Sequence, residues 1–598
     1  MVSKKGIFGL LILLGITSLI YAGVRHFEFV WDDKILLLEG SIYTDEYAIQ
    51  RAIFEPLHIS ENYYRPLVML SFILQTKLHG LNAGYFHLIN LVLHLCSITI
   101  LYFYSKRLVE RINPERPSHF DALVISALYA LHPALSEAVI WISGRFDLFM
   151  TALLLMALYI DERFSARKFI RPIGVGLCYL LAIFSKESAI LFPVSLLFWH
   201  LALACLDENN ISASFLKEIF IKNMPVYLTS FFCACLYVVA RVYLLGYFRH
   251  SLEYFPTGSS LQHLLLVVKA FAFYVVFALL PFLSISPFHF QEMPVPYTDI
   301  WAWLAMLAVL VLSIAAVISG RRYLAYMLAL AAFTGCLALA LFILQIPLQY
   351  NLGQERYLQF PVVFICLMLV AFIYPRLPSS GMTKKLALPV LIVWLVISIL
   401  NIRVTMPLWR DDNSLFTWVG RSQPKCPVCQ LDYATALMNN KKLDDAEKVI
   451  NQVLEMPTTL TPTKAIAYEI YGDVERLKGN RAKAAEYYLK SFDMDVARSS
   501  GMLNMAFVMT LMRQFSTAEF YIANVRRTDP NNASAYFDLG MLALAQNNHD
   551  EASKNFELAI KYAHPEQKVE FKKSSDELLS GKQLLHFGEK IDLEGKKP

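Results

Sequence analysis

The chain predicts an all-α protein in two parts, a polytopic membrane helical bundle of about eleven spans followed by a soluble α-solenoid. Three observations predict it. Of 598 residues, 56% are hydrophobic and only 17% charged, with a mean hydropathy of +0.44, which excludes a soluble globular enzyme. Apolar runs of about twenty residues, enough to cross a bilayer as a helix, recur from Ile7 to Asn401 and stop there. Beyond Trp409 the pattern changes to short amphipathic helices with small residues at a fixed interval. The 54 Lys and Arg against 49 Asp and Glu leave +5, too small and dispersed a charge for a nucleic-acid partner.

Ile7–Ala22 follows Lys4 and Lys5 as a signal peptide would, but no Ala-x-Ala site comes after it, so it reads as a retained first span. Further spans are expected near 86–105, 120–131, 148–160, 173–184, 189–206, 225–242, 300–319, 323–345, 358–374 and 386–404. Orientation follows from Lys and Arg in short loops, which stay cytoplasmic. Lys106, Arg107, Arg111 and Arg116 mark one such loop, Arg163, Arg167, Lys168 and Arg171 a second, and Lys217 with Lys222 a third. Arg321, Arg322, Lys384 and Lys385 mark two more. The loops 25–85, 132–147, 185–188, 243–299 and 348–356 are then external, as is the soluble third. Parity requires that Leu261–Pro281 not cross fully, as a re-entrant or interfacial helix would not.

The domains predicted are a membrane domain over 1–405, whose first external loop is 25–85, a linker over 406–430, repeats over 431–571, and a capping helix and tail over 572–598. Gly472, Ala506 and Gly540 lie 34 residues apart, and Ala484, Ala518 and Ala552 keep that interval. Ala434 and Ala446 repeat the relation once more, displaced by 38 residues. This pattern resembles four tetratricopeptide repeats, whose concave face usually binds peptide or protein segments and can equally be a spacer. Cys426 and Cys429, in Cys-Pro-Val-Cys, lack the second pair a zinc site needs and suit a local disulfide in an oxidising compartment.

Charged groups near the hydrocarbon cost roughly 2.5–3.5 kcal/mol each and need a reason. Trp31-Asp32-Asp33 follows the first span directly. Adjacent acids cannot share a helix face, so one can act while the other positions; such a carboxylate can accept a hydroxyl proton, or coordinate a divalent ion such as Mg or Mn with its neighbour. A plain helix cap is the alternative. Tyr64-Arg65-Pro66 comes next, then His87, Asn90 and His94, which share one helical face either as interhelical hydrogen-bonding groups or as help in holding a lipid-borne phosphate. The second external loop carries His132, Glu137, Arg145 and Asp147, where Arg145 and Asp147 can also simply pair. Lys186 and Glu187 form another charged pair, and Glu355 and Arg356 one more. Acids set among cations suit transfer chemistry on a phosphate-bearing lipid.

Trp31-Asp32-Asp33, Tyr64-Arg65-Pro66-Leu67, Phe86-His87-x-x-Asn90-x-x-x-His94, His132-Pro133-x-x-x-Glu137, Ser143-Gly144-Arg145-x-Asp147, Ser185-Lys186-Glu187 and Glu355-Arg356-Tyr357-Leu358, with the appended repeats, resemble the transmembrane and tetratricopeptide-repeat O-mannosyltransferases and their bacterial relatives, within the GT-C glycosyltransferases. The resemblance implies a polyprenyl- or dolichyl-phosphate sugar donor, an inverting single displacement, and transfer at the external or lumenal face; the leading acceptor is a protein hydroxyl, which the repeat groove can present by analogy of fold. It puts the base at Asp32, with Asp33 positioning or sharing it. It makes His132, Arg145, Lys186 and Arg356 candidates for the donor phosphate, beside Arg65 and His87, which the charge and helical spacing already offer, and Glu137 and Asp147 second-loop acids. The expected location is a bacterial inner membrane with the N-terminus cytoplasmic and the repeats periplasmic, or alternatively an ER membrane with lumenal repeats. A glycolipid or surface-polysaccharide acceptor is the competing enzymatic reading. A non-catalytic assembly factor is the competing class, and it predicts indifference to the acidic pair.

Overall fold

The computed structural model describes residues 4–38, 47–57, 63–207, 213–245, 258–283, 286–318, 321–341, 351–378, 381–494, 499–563, 565–580, 584–586 and 589–591. Parts of the expected external loops (39–46, 58–62, 246–257, 284–285, 348–350), the ends of the eighth and ninth expected spans (319 and 342–345) and the last tail residues (592–598) lie outside them. Two compact units result, Met1–Asp33 with Glu46–Asp411, and Lys34–Asp45 with Asp412–Pro598.

In the first unit a helix meets every predicted span. Seven have the length and apolarity of a membrane crossing: Lys4–His26, Ala83–Ile112, Ile142–Arg163, Glu187–Leu206, Lys217–Leu245, Ser260–Leu279 and Met382–Trp409. An eighth arises if Ser118–Ala130 and Pro133–Ile140, bent by 57°, form one broken span. The bend falls at Pro133, which lacks an N–H to continue the ladder and holds His132 extended (φ −73°, ψ 117°). About eleven spans are therefore not reached on length and composition among the described residues, because Ile170–Ile183, Ile300–Ala315, Tyr323–Leu337 and Val362–Arg376 are shorter. The segment expected to stop short of crossing is one continuous apolar helix, Ser260–Leu279, with a Ser259/Gln262 capping box. Large apolar side chains such as Phe8, Leu19, Phe231, Trp301 and Val390 are left exposed on these helices, as a lipid-facing surface requires.

The second unit stacks four antiparallel helix pairs: Pro427–Asn439 with Leu443–Glu455, Thr461–Leu477 with Arg481–Met494, Ser499–Leu511 with Phe515–Thr528, and Ala533–Ala545 with His549–Tyr562. Helix Pro565–Leu579 covers the last pair. The stretch 406–430, read from sequence as a linker, is largely helical, over Met406–Trp409 and Asp412–Ser422. Among the described residues the only strands are Leu584–His586 and Glu589–Ile591, paired antiparallel in the tail. Each pair turns through one residue in the left-handed region: Lys441, Gly479, Arg513 and Asn547 have φ of 60°, 83°, 60° and 61°. These positions repeat at the same intervals as the small residues, so one backbone solution recurs in every repeat.

The small residues mark where paired helices touch. A Cβ on Gly540 would lie 2.5 Å from the ring of Phe556, itself 1% exposed. Gly540→Val is therefore expected to overpack that contact, costing about 1–3 kcal/mol and lowering the melting temperature of the repeats by several degrees in circular dichroism. An unchanged melt would contradict this packing.

Candidate active site

The first unit gathers the charged motifs at one end of its helices, beginning with the turn Val30–Asp33. Trp31 adopts φ 54°, an uncommon conformation for a bulky residue. Asp33 holds the turn closed: its N–H donates to the Val30 carbonyl (3.0 Å) and its Oδ2 accepts from the Val30 N–H (3.3 Å). Its Oδ1 accepts from the Ser143 N–H (2.8 Å) and hydroxyl (2.5 Å). Trp31 stacks on Trp141, centroids 5.4 Å apart. Asp33 is fully buried, and burial pushes its carboxyl up to about 7 against the downward pull of those hydrogen bonds. Asp32 is half-buried; desolvation raises its pKa and the nearby Arg356 guanidinium lowers it, with a net rise. One acid is thus consumed in architecture and the other is presented.

Ser143 can reach Asp33 because the chain folds tightly at Gly144, where a Cβ would lie 2.4 Å from the Ala138 carbonyl oxygen. The next residue, Arg145, is fully buried between Phe72 and Phe86 (4.4 and 5.3 Å to the ring centroids). Its Nε donates to Asn90 Oδ1 (2.9 Å) and an Nη to the Phe86 carbonyl (2.8 Å). Asn90 in turn donates to the Trp141 carbonyl (2.8 Å), so Arg145 and Asn90 brace the loop.

Three ion pairs complete the cluster. Lys186 Nζ lies 2.6 Å from Asp147, Arg356 Nη1 2.6 Å from Glu137, and Arg65 Nη2 2.8 Å from Glu187. Asp147 acts electrostatically on Lys186, Arg356 and Arg65 together, which makes it the common centre of three cations. In two pairs the acid lies deeper than its cation: Glu137 is 2% exposed against 13% for Arg356, and Asp147 2% against 8% for Lys186. Tyrosine and tryptophan rings support the cations, with Lys186 over Tyr357 (4.6 Å) and Arg356 over Trp141 (4.6 Å). Burial pulls the Lys186 ammonium down to about 8 despite Asp147.

Sequence neighbours do not pair here. Lys186 and Glu187, expected together, part company to Asp147 and Arg65, and Arg145 engages Asn90 instead of Asp147. Glu355 turns to His289 (3.4 Å), and burial with the nearby Glu137 charge raises its carboxyl well above the usual range. His87, a candidate for the donor phosphate, is fully buried, with Nε2 3.4 Å from the Glu28 carbonyl and its ring edge-on to Phe27. His132 bonds to the Ala278 carbonyl (3.0 Å), tilts against Trp394 and lines a separate apolar cavity of about 340 Å³. Arg241, 4.0 Å from Glu187, joins the cluster without any sequence signal beyond a lone charge at the end of a span. Among the described residues no group of three or more His, Cys, Asp or Glu side chains is placed to hold a metal ion.

Fold and site define a membrane protein of many apolar helices, with buried charge at one end of them and a helical-repeat solenoid. The tetratricopeptide repeat family model matches residues 431–494 and 512–567. Part of the chain is similar to Protein O-mannosyl-transferase TMTC1 of Mus musculus, 32% identical over 160 residues, 25% of this chain and 16% of that protein. Protein O-mannosyl-transferase F38B6.6 of Caenorhabditis elegans is 27% identical over 205 residues, 32% of this chain and 28% of that protein. Drosophila melanogaster Tmtc1, also named a protein O-mannosyl-transferase, is 28% identical over 197 residues, 31% and 22% of the two chains. The matches thus span less than a third of the length of these curated relatives. The crystal structure of MamA aligns over 32% of this chain and 99% of its own at 16% identity and a TM-score of 0.22, too slight a likeness to bear on the site.

Proposed function

We propose that the chain is a GT-C-type glycosyltransferase that moves a sugar, mannose by analogy with the names of its relatives, from a polyprenyl-phosphate donor to hydroxyl groups of exported protein. The observation that carries this reading is the half-buried Asp32 beside Arg356, in one cluster with Lys186, each cation less deeply buried than the acid it pairs with. In the proposed step the acceptor hydroxyl oxygen attacks the anomeric carbon as its bond to the phosphate oxygen breaks, inverting the centre. Asp32 takes the hydroxyl proton, and Arg356, Lys186 and Arg65 hold the departing polyprenyl phosphate. Asp33, Arg145 and Asn90 position these groups without touching substrate. The repeats would present the acceptor, on the non-cytoplasmic side of a bacterial inner membrane.

Membranes given polyprenyl-phosphate mannose with labelled sugar are expected to pass label to protein. Label entering only lipid would replace the acceptor class, and none entering either would end the reading. The rate should rise with pH as Asp32 ionises through its raised pKa, then fall as Lys186 loses its proton above about 8. Lys186→Arg, charged at every accessible pH, should move only the alkaline limb upward. A limb that stays in place would assign it to another group.

A further inference from the structure

The other end of the membrane helices carries a second polar site that the transfer reaction does not use. Asp161 and Glu162 occupy the last turn of the 19-residue helix that begins with Arg145, about 25 Å from it at 1.5 Å per residue. Asp161 accepts from Arg171 Nε (2.9 Å) and lies 2.9 Å from His200 Nε2. Arg171 donates to Asn223 Oδ1 (2.6 Å), and His200 Nδ1 meets the Tyr227 hydroxyl (2.7 Å). Asp161, Arg171, His200 and Asn223 are each at least nine-tenths buried, and they come from four different helices.

These groups surround a cavity of about 110 Å³ whose wall also includes Arg111, Glu162 and Lys222. That is room for several waters or one tetrahedral anion. Arg111 reaches Glu162 at only 3.4 Å, and no acid among the described residues pairs with the exposed Lys222. Counting Lys, Arg, Asp and Glu alone, three cations face two acids, so the wall has one formal positive charge in excess. Beside Arg171 and Lys222 in sequence, Phe169, Ile170, Phe220 and Ile221 project large exposed apolar surface.

We propose that this cavity binds the phosphate of an anionic phospholipid, with Lys222 and Arg111 at its mouth and the acyl chains along those apolar side chains. A phosphodiester carries one negative charge, which matches the excess. Free phosphate shares the recognised chemistry but gains nothing from the apolar surface. The site is independent of the transfer reading.

The test uses the purified full chain in detergent, followed by native mass spectrometry and thermal unfolding, with phosphatidylglycerol, phosphatidylcholine or inorganic phosphate added. Phosphatidylglycerol should bind and raise the melting temperature, and phosphatidylcholine should not. Lys222→Gln, at an exposed position, should weaken phosphatidylglycerol retention roughly tenfold. Lys168→Gln, a loop lysine outside the cavity wall, should leave it unchanged. Inorganic phosphate matching phosphatidylglycerol in effect would keep the anion site and overturn its lipid occupant. Equal retention in the two variants, or equal binding of the two lipids, would overturn the site itself.

Discussion

Asp32→Asn is expected to lower transfer by roughly a thousandfold while expression and melting temperature stay near wild type. The asymmetry of the acidic pair is the reason. Asp32 is half-buried and its carboxylate balances Arg356, so an isosteric amide changes proton affinity more than packing. Asp33→Asn should behave oppositely. Its carboxylate accepts hydrogen bonds from Val30 and Ser143, and an amide nitrogen in that place turns an acceptor toward a donor. The expected cost is about 1–3 kcal/mol of stability, with activity lost in proportion to folded protein. Asp33 also gives stability a pH dependence of known sign. Its folded pKa, near 7, lies above the ordinary value of 3.8, so its contribution is complete below 3.8 and is lost as pH rises through 7. Equal kcat losses in the two variants at equal stability would contradict this division of roles.

Arg356→Ala should be the most damaging of the cation substitutions, because it removes a proposed phosphate contact and also strands Glu137. That carboxylate is 2% exposed and receives both the Arg356 backbone N–H (3.0 Å) and its guanidinium (2.6 Å). Breaking a buried pair from one side costs about 3–5 kcal/mol, largely through the uncompensated charge. Adding Glu137→Gln to Arg356→Ala should therefore recover most of the melting temperature and none of the transfer. Recovery of both would make Arg356 a structural partner only, and recovery of neither would mean that Glu137 is not the stranded charge.

Much of this arrangement was legible in the sequence, for physical reasons. Apolar length and the 34-residue spacing are local signals, and both the membrane helices and the four helix pairs follow from them. The convergence of Asp32, Glu137, Asp147, Lys186 and Arg356 was also readable, since charged residues recurring just after apolar runs must share one end of the bundle or the other. The pairing within the cluster was not. Lys186 and Glu187 are consecutive in a segment extended at Lys186 (φ −157°, ψ 133°), so their side chains leave in different directions and find partners far along the chain. His87 and Arg145 looked like phosphate ligands because sequence reports charge and periodicity but not depth. Both prove fully buried, held by backbone carbonyls and aromatic faces. The second polar site was invisible as a site, because Asp161, Arg171, His200 and Asn223 sit on four helices whose packing no local pattern encodes.

Cys426 and Cys429 are joined in a disulfide at the start of the first repeat helix, where Cys426 Sγ also accepts the Cys429 N–H (3.2 Å). The pair gives the solenoid a built-in record of where it has been. A chain folded facing an oxidising space leaves with this bridge closed and, once unfolded, takes up thiol-reactive tags at these buried positions only after reduction. A chain kept beside the glutathione pool would offer the same two sulfurs as free thiols.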